Sequence, residues 1–228
     1  MKLQIKSRYD SSVILYEGEA ESTRALLKMV ISDKADLSGA YLSGKNLSDT
    51  NLTGICLPDA DLSYVNLFNA NLTEALLSGV YFYGADLSYV NFSYANLSHA
   101  EFSGSNLTDA RLSGANLANA DLPYAPKIDN LDSKILEAIK SGGTLNMNEW
   151  HTCKTAHCRA GWAIHIAGEE GKALEEQHGT AIAGTLIYQV STGRVPDFYA
   201  SDEDALSDIK KCAASATSKA IGKKKNKR

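Results

Sequence analysis

The sequence predicts a mainly β protein, a shaft of stacked coils, followed by an α-helical domain at the C-terminal end. Three observations carry this. From Leu37 to Leu122 every fifth residue is Leu or Phe, eighteen times without a slip of register. The residue two places before it is small or β-branched in most units, and Ala in eleven of them. After Pro123 and Pro126 the five-residue period stops and helical patterning takes over.

A period of five fits neither regular element. At 3.6 residues per turn it would scatter the leucines of an α-helix about 140° apart, and a strand needs a period of two. A chain that turns a corner every five residues satisfies it. The central Leu and the small residue then point inward, and the other three positions, mostly Asn, Asp, Ser, Thr, Gly and Tyr, point out. Stacking such coils buries a continuous apolar column, worth about 1.5 to 3 kcal/mol for each Leu or Phe before chain entropy is subtracted.

The units ADLSG, AYLSG, KNLSD, TNLTG through to ADLPY, residues 35–124, resemble the pentapeptide-repeat proteins and their consensus A(D/N)LXX. The resemblance implies a right-handed quadrilateral parallel β-helix with four units per coil, hence residues twenty apart on one face. It also implies function: some relatives are held to act on type II topoisomerases as acidic rods that imitate DNA.

A solenoid exposes unpaired backbone and an apolar column at its ends, so caps are expected. Residues 1–34 are predicted to form the N-terminal cap. It consists of a hairpin, KLQIKSR and VILYEGEA joined at YDSS, and a short helix opened by Ser22 with Leu26, Leu27 and Val30 facing the first coil. The β-helix is assigned to residues 35–125. Residues 126–213 read as an α-helical domain with helices at LDSKILEAIKSGG, CRAGWAIHIAG, EEGKALEEQ, TAIAGTLIYQVS and SDEDALSDIKKCA. Gly142, Gly168 and Gly193 sit where helix ends need them, and Ser201 with Asp204 has capping-box spacing. Ala160, Gly161 and Ala163 beside Ala181, Ala183 and Gly184 imply two helices in close contact. This domain resembles a helical module found behind pentapeptide repeats in phage and prophage proteins. Residues 214–228 are expected to be a basic disordered tail.

The net charge of −4 hides a division. Six of the last ten residues are basic, so residues 1–218 carry 17 basic groups against 27 acidic. The repeats alone hold nine acids against Lys45 and Arg111. Contact with nucleic acid is expected only through the tail. No apolar run is long enough to cross a membrane, and the MKLQIKSRYD start lacks the apolar stretch of a signal peptide, so a soluble cytoplasmic protein is expected. Four dispersed cysteines imply reduced thiols rather than a disulfide framework.

His151, Cys153, His157 and Cys158, with His165 nearby, form the constellation with metal-binding or nucleophilic chemistry. A zinc site would need four ligands at workable spacing, but His157 and Cys158 are adjacent and no second ligand pair follows. A nucleophilic cysteine would need an acid partner and an oxyanion donor that the sequence does not identify. The favoured reading places Cys158, Trp162 and Ile166 on one helix face as core, with no metal, no cofactor and no enzyme activity.

Sorting by face puts Tyr41, Tyr64, Tyr81, Tyr83 and Tyr124 together with Asp61, Glu101 and Asp121. The other acids divide as Asp49, Asp86 and Asp109; Asp36 and Asp59; and Glu74. Tyr couples a large ring to a polar tip at low entropic cost and is enriched at binding hot spots. The function read from the sequence is therefore a non-enzymatic protein-binding rod, a phage or prophage product engaging a host protein, with the Tyr-rich face as its docking surface. The alternatives are a DNA-mimicking modulator of an enzyme such as a type II topoisomerase, a cysteine- or metal-dependent enzyme in the helical domain, and a structural or assembly protein. Partner identity and oligomeric state are left open.

Overall fold

A computed structural model of the chain describes residues 1–147 and 156–225, the side chains of 156, 157 and 216–225 excepted. It divides into two compact units, Met1–Tyr124 and Ala125–Arg228.

The first unit opens with β1 (Lys2–Lys6) and β2 (Ile14–Glu19), paired antiparallel with a register shift between Ile5 and Lys6. The helix α1 (Thr23–Ser32) follows, capped by the Ser22 side chain on the Ala25 N–H, with Leu26, Leu27 and Val30 buried. Two arginines tie this cap down. Arg24 donates to the Asn46 carbonyl, Asn46 Oδ1 and Ser48 Oγ, and the Arg8 backbone N–H donates to the Gly39 carbonyl.

From residue 35 onward the chain coils. Parallel bridges join residues twenty apart, for example Asn51↔Asn71↔Asn91↔Arg111, so four five-residue units complete each turn. Each unit with a coil following it, from Leu37 to Leu97, makes the same bonds. The central residue donates its N–H to the next coil, as Leu62 does to the Tyr81 carbonyl at 2.9 Å, and the N–H of position five does likewise, as Tyr64 does to Tyr83 at 2.8 Å. The corner is a turn with positive φ at position five in every unit from Gly39 to Asn119. The Asn or Asp at position two accepts the N–H two residues on, as Asn91 does from Ser93 at 3.0 Å. The asparagine rows are therefore turn fasteners.

The central residues from Leu37 to Leu117 are all buried, and Phe82 stacks on Phe102 with 5.5 Å between ring centroids. The eighteenth unit departs from the expected pattern. Leu122 is half-buried and Tyr124 lacks the positive-φ corner, so the regular coil stops one unit short of the sequence period.

The second unit contains α2 (Leu131–Lys140), a two-residue parallel pair of β3 (Thr144–Leu145) with β4 (Ala156–His157), α3 (Arg159–His178), α4 (Thr180–Thr192) and α5 (Asp202–Lys225). The helix α3 breaks at Gly168 (φ 66°, ψ −137°), which makes it the two helices expected on either side of that glycine. A Cβ on Gly184 would stand 2.4 Å from the Ala160 Cβ, so α3 and α4 meet where the small residues face each other. Ser201 and Asp204 form the reciprocal cap expected at the start of α5.

Two differences from the sequence reading stand out. The short β3–β4 pair was unforeseen, because two-residue strands leave no periodic signal. Helix α5 continues to Lys225 where a disordered tail was expected from 214; Ala213, Ala214, Ala216 and Ala220, interspersed with Lys, are strong helix formers. No helix among the described residues is long and apolar enough to cross a membrane.

Candidate functional site: a tyrosine and carboxylate ladder on the shaft

The repeat geometry converts sequence spacing of twenty into vertical neighbours. Tyr41, Asp61, Tyr81, Glu101 and Asp121 are linked in that order by successive parallel bridges, so five of the eight expected site residues form one ladder. Rungs of a parallel ladder lie about 4.8 Å apart. Tyr64 and Tyr83 stand beside it at the corner, their rings edge to face with centroids 5.4 Å apart. Tyr124 lies past the last rung and is not part of the ladder.

Exposure separates these residues. Tyr41, Tyr64 and Tyr83 are all more than half exposed, whereas Tyr81 is half-buried. Its ring face is occupied by the guanidinium of Arg8, whose Cζ sits 3.8 Å from the ring centroid while Nη1 donates to the Asp59 carbonyl at 3.0 Å. No sequence pattern signals this contact, since Arg8 reads simply as the end of the first hairpin strand. Asp61 uses Oδ1 to accept the Ser63 N–H, and Asp121 accepts from Ser103 Oγ. Glu101 is exposed.

A second aromatic pair was missed. Phe68 and Tyr89 meet edge to face at 5.6 Å on the neighbouring corner, and a hydrogen bond with Asp109 holds the Tyr89 hydroxyl above its ordinary pKa. Phe68 was legible as one of two aromatics, with Tyr83, at a position that holds Ser or Thr in most units.

In the second unit the structure brings together charges that the sequence reading passed over. The Arg159 side chain is almost wholly buried and donates to Asp132 Oδ1 (2.9 Å), Asp208 Oδ2 (2.6 Å) and the Tyr188 hydroxyl (2.9 Å). Arg194 donates to the other Asp132 oxygen at 3.0 Å and to Asp208 at 2.9 Å. Two arginines thus face two carboxylates, and the cluster joins α2, α3, α4 and α5. A cleft of about 340 Å³ lies beside it, lined by polar residues including Ser133, Ser191, Thr192 and Cys212. With every charge in the cluster paired, this arrangement is suited to fastening helices.

Of the Cys and His constellation, His151, Cys153 and the His157 side chain lie outside the described residues. Cys158 is buried at the N-terminus of α3, where its Sγ accepts the Gly161 N–H at 3.3 Å. Burial raises its thiol pKa and outweighs the backbone N–H groups that would lower it, which is the wrong direction for a nucleophile. Trp162 is buried beside it and Ile166 half-buried, as core packing requires. Among the described residues no group of three or more His, Cys, Asp or Glu is placed to hold a metal ion.

Residues 33–67, 66–104 and 85–123 match the family model of pentapeptide repeats. The chain belongs to the pentapeptide-repeat family. Similar solved structures include the pentapeptide repeat protein Rfr23 from the cyanobacterium Cyanothece 51142, with 34% identity over 39% of this chain and 61% of that one, at a TM-score of 0.38. HetL, a pentapeptide repeat protein involved in heterocyst differentiation regulation in Nostoc sp. strain PCC 7120, is 35% identical over 39% of this chain and 43% of its own, at a TM-score of 0.26. The pentapeptide repeat protein alr5209 from Nostoc PCC 7120 is 31% identical over 47% of this chain and 78% of its own, at a TM-score of 0.29. The chain therefore spans less than two thirds of Rfr23 and of HetL. No curated protein matches it. The pentapeptide-repeat family brings the right-handed four-sided β-helix, with corners and ladders of the kind described above.

Proposed function

We propose that this pentapeptide-repeat shaft is a non-enzymatic docking rod for a protein partner, and that the ladder face with Tyr64 and Tyr83 at its corner is the docking surface. The observation that carries the reading is the convergence on one face of three exposed tyrosines and three carboxylates drawn from different coils. Such a rigid surface loses little entropy on binding, and Tyr is among the residues that dominate interface energies. We further propose that the chain is a phage or prophage product and the partner a host-cell protein.

The DNA-mimicking alternative is less favoured by the charge placement. A duplex presents one negative charge per about 1.7 Å of axis, whereas this face has three acids over the four rung spacings from Tyr41 to Asp121, interrupted by Tyr81.

Because Arg8 covers Tyr81, the informative variant is Tyr41→Ala with Tyr83→Ala. It is expected to leave circular dichroism unchanged and to weaken partner capture by about 1 kcal/mol or more. Phe68→Ala with Tyr89→Ala on the neighbouring corner is the control. Undiminished capture by the first variant together with loss in the second would place the surface elsewhere, and inhibition of DNA supercoiling by the purified chain would favour the mimic.

A further inference from the structure

The ladder carries a clue to the chemistry of what it binds. Its units, 40–44, 60–64, 80–84, 100–104 and 120–124, hold three acids and no basic residue, Lys45 and Arg111 lying in other units. Among the described residues the cation on this face is Arg8, supplied by the N-terminal cap. It does not form an ion pair there within the described residues; its Cζ sits over the Tyr81 ring, 3.8 Å from the centroid, between the Asp61 rung and the Glu101 rung. The chain thus shows with its own side chain that the strip accepts a planar guanidinium. The acid, ring, acid order spans two rungs, about 10 Å.

We propose that this face binds an arginine-bearing segment of the partner protein, with guanidinium groups stacking on the open rings of Tyr41 and Tyr83 while Glu101 and Asp61 accept their N–H groups. This rests on the docking face proposed above. Arginine is favoured over lysine by shape. A guanidinium stacks on an aromatic face and offers a fork of donors to a carboxylate, whereas an ammonium is a compact, strongly hydrated point charge.

The test uses the full chain and two labelled probes, an oligo-arginine and an oligo-lysine peptide of equal length, with binding read by fluorescence anisotropy. The arginine probe is expected to bind about fivefold tighter or more. Asp61→Asn with Glu101→Gln should weaken it by about fivefold or more, while Asp86→Asn with Asp109→Asn, an equal charge change on the adjacent face, should leave it within about twofold. Asn at position 61 keeps the turn acceptor, as Asn66 Oδ1 does for the Phe68 N–H, so the fold is preserved. Equal binding of the two probes, or equal weakening by the two pairs of substitutions, overturns the proposal by leaving net charge as the whole cause. If that happens while Tyr41→Ala with Tyr83→Ala still weakens protein capture, the docking face stands and the arginine assignment alone falls.

Discussion

The ring of Tyr94 lies where a side chain on Gly114 would begin: a Cβ built there stands 2.5 Å from the ring. Tyr64 covers Gly84 in the same way at 2.9 Å. Both tyrosines occupy the positive-φ corner, a conformation that costs a bulky L-residue roughly 1–2 kcal/mol, and the bare glycine of the next coil gives each ring a flat surface to lie on. Gly44, also at a corner, has nothing within 4 Å of such a Cβ. Gly44→Ala should therefore cost only the backbone strain, about 1 kcal/mol, and Gly114→Ala clearly more. Urea unfolding of the two variants checks this. Tyr94→Ala should recover part of the Gly114→Ala loss, and strictly additive effects would refute the contact.

Leu87 is fully buried in the central column. Leu87→Asp places a carboxylate there, and an unpaired charge in an apolar interior costs far more than a domain's net stability allows. The expected outcome is loss of the β signal of the shaft and of its unfolding transition. A variant with native circular dichroism and an unchanged melting temperature would contradict the inward assignment.

The shaft was legible in the sequence because the units repeat the same local physics: a core Leu or Phe in every unit, an Asn or Asp that fastens the turn in most, and a corner residue. A pattern repeated eighteen times in the sequence leaves little ambiguity. The ladder followed from arithmetic, since residues twenty apart must be vertical neighbours. The Arg8 to Tyr81 contact was not legible, because it depends on how a non-repeating hairpin wraps a corner. The same holds for Arg159, which joins Asp132, Tyr188 and Asp208 across sequence separations of 27, 29 and 49 residues. No local period encodes such contacts. An arginine immediately before the uncharged stretch from Ala160 to Ala163 was the only available hint.

The thiols offer a check on burial. Desolvation, aided by a hydrogen bond to Asp36, pushes the Cys56 pKa up to about 11, and burial raises that of Cys158. Since the thiolate is the reactive species, both should alkylate much more slowly than a free cysteine near pH 8. Mass-spectrometric mapping of iodoacetamide labelling over time measures this directly. Rapid modification of Cys158 in the folded chain would reopen the nucleophile reading.

Arg159 bonds to three other helices at once, so its removal should affect the whole helical unit. Arg159→Met keeps much of the volume but leaves Asp132 buried with Arg194 as its remaining cation. Breaking a buried pair from one side typically costs about 3–5 kcal/mol. Trp162 is buried in the second unit and residues 1–124 contain no tryptophan, so tryptophan fluorescence in urea reports unfolding of that unit separately from the shaft. A loss below about 1 kcal/mol would mean that the network contributes little beyond packing.

The same network sets the response to acid. Burial works to raise the Asp208 carboxyl pKa, but its hydrogen bonds and charge interactions with Arg159 and Arg194 prevail and hold it below the usual value. A carboxyl whose folded pKa is depressed contributes stability that is complete above its unfolded value, about 4, and is lost as pH falls through the folded value. The urea midpoint reported by tryptophan should therefore stay nearly level from neutral pH to about 5 and fall below about 4. In Asp208→Asn the unit should be weaker at neutral pH and its acid decline shallower, because one of the carboxyls that must take up a proton is gone. An acid decline equally steep in the variant would show that Asp208 is not coupled to the arginines in solution, and that other carboxylates govern acid unfolding.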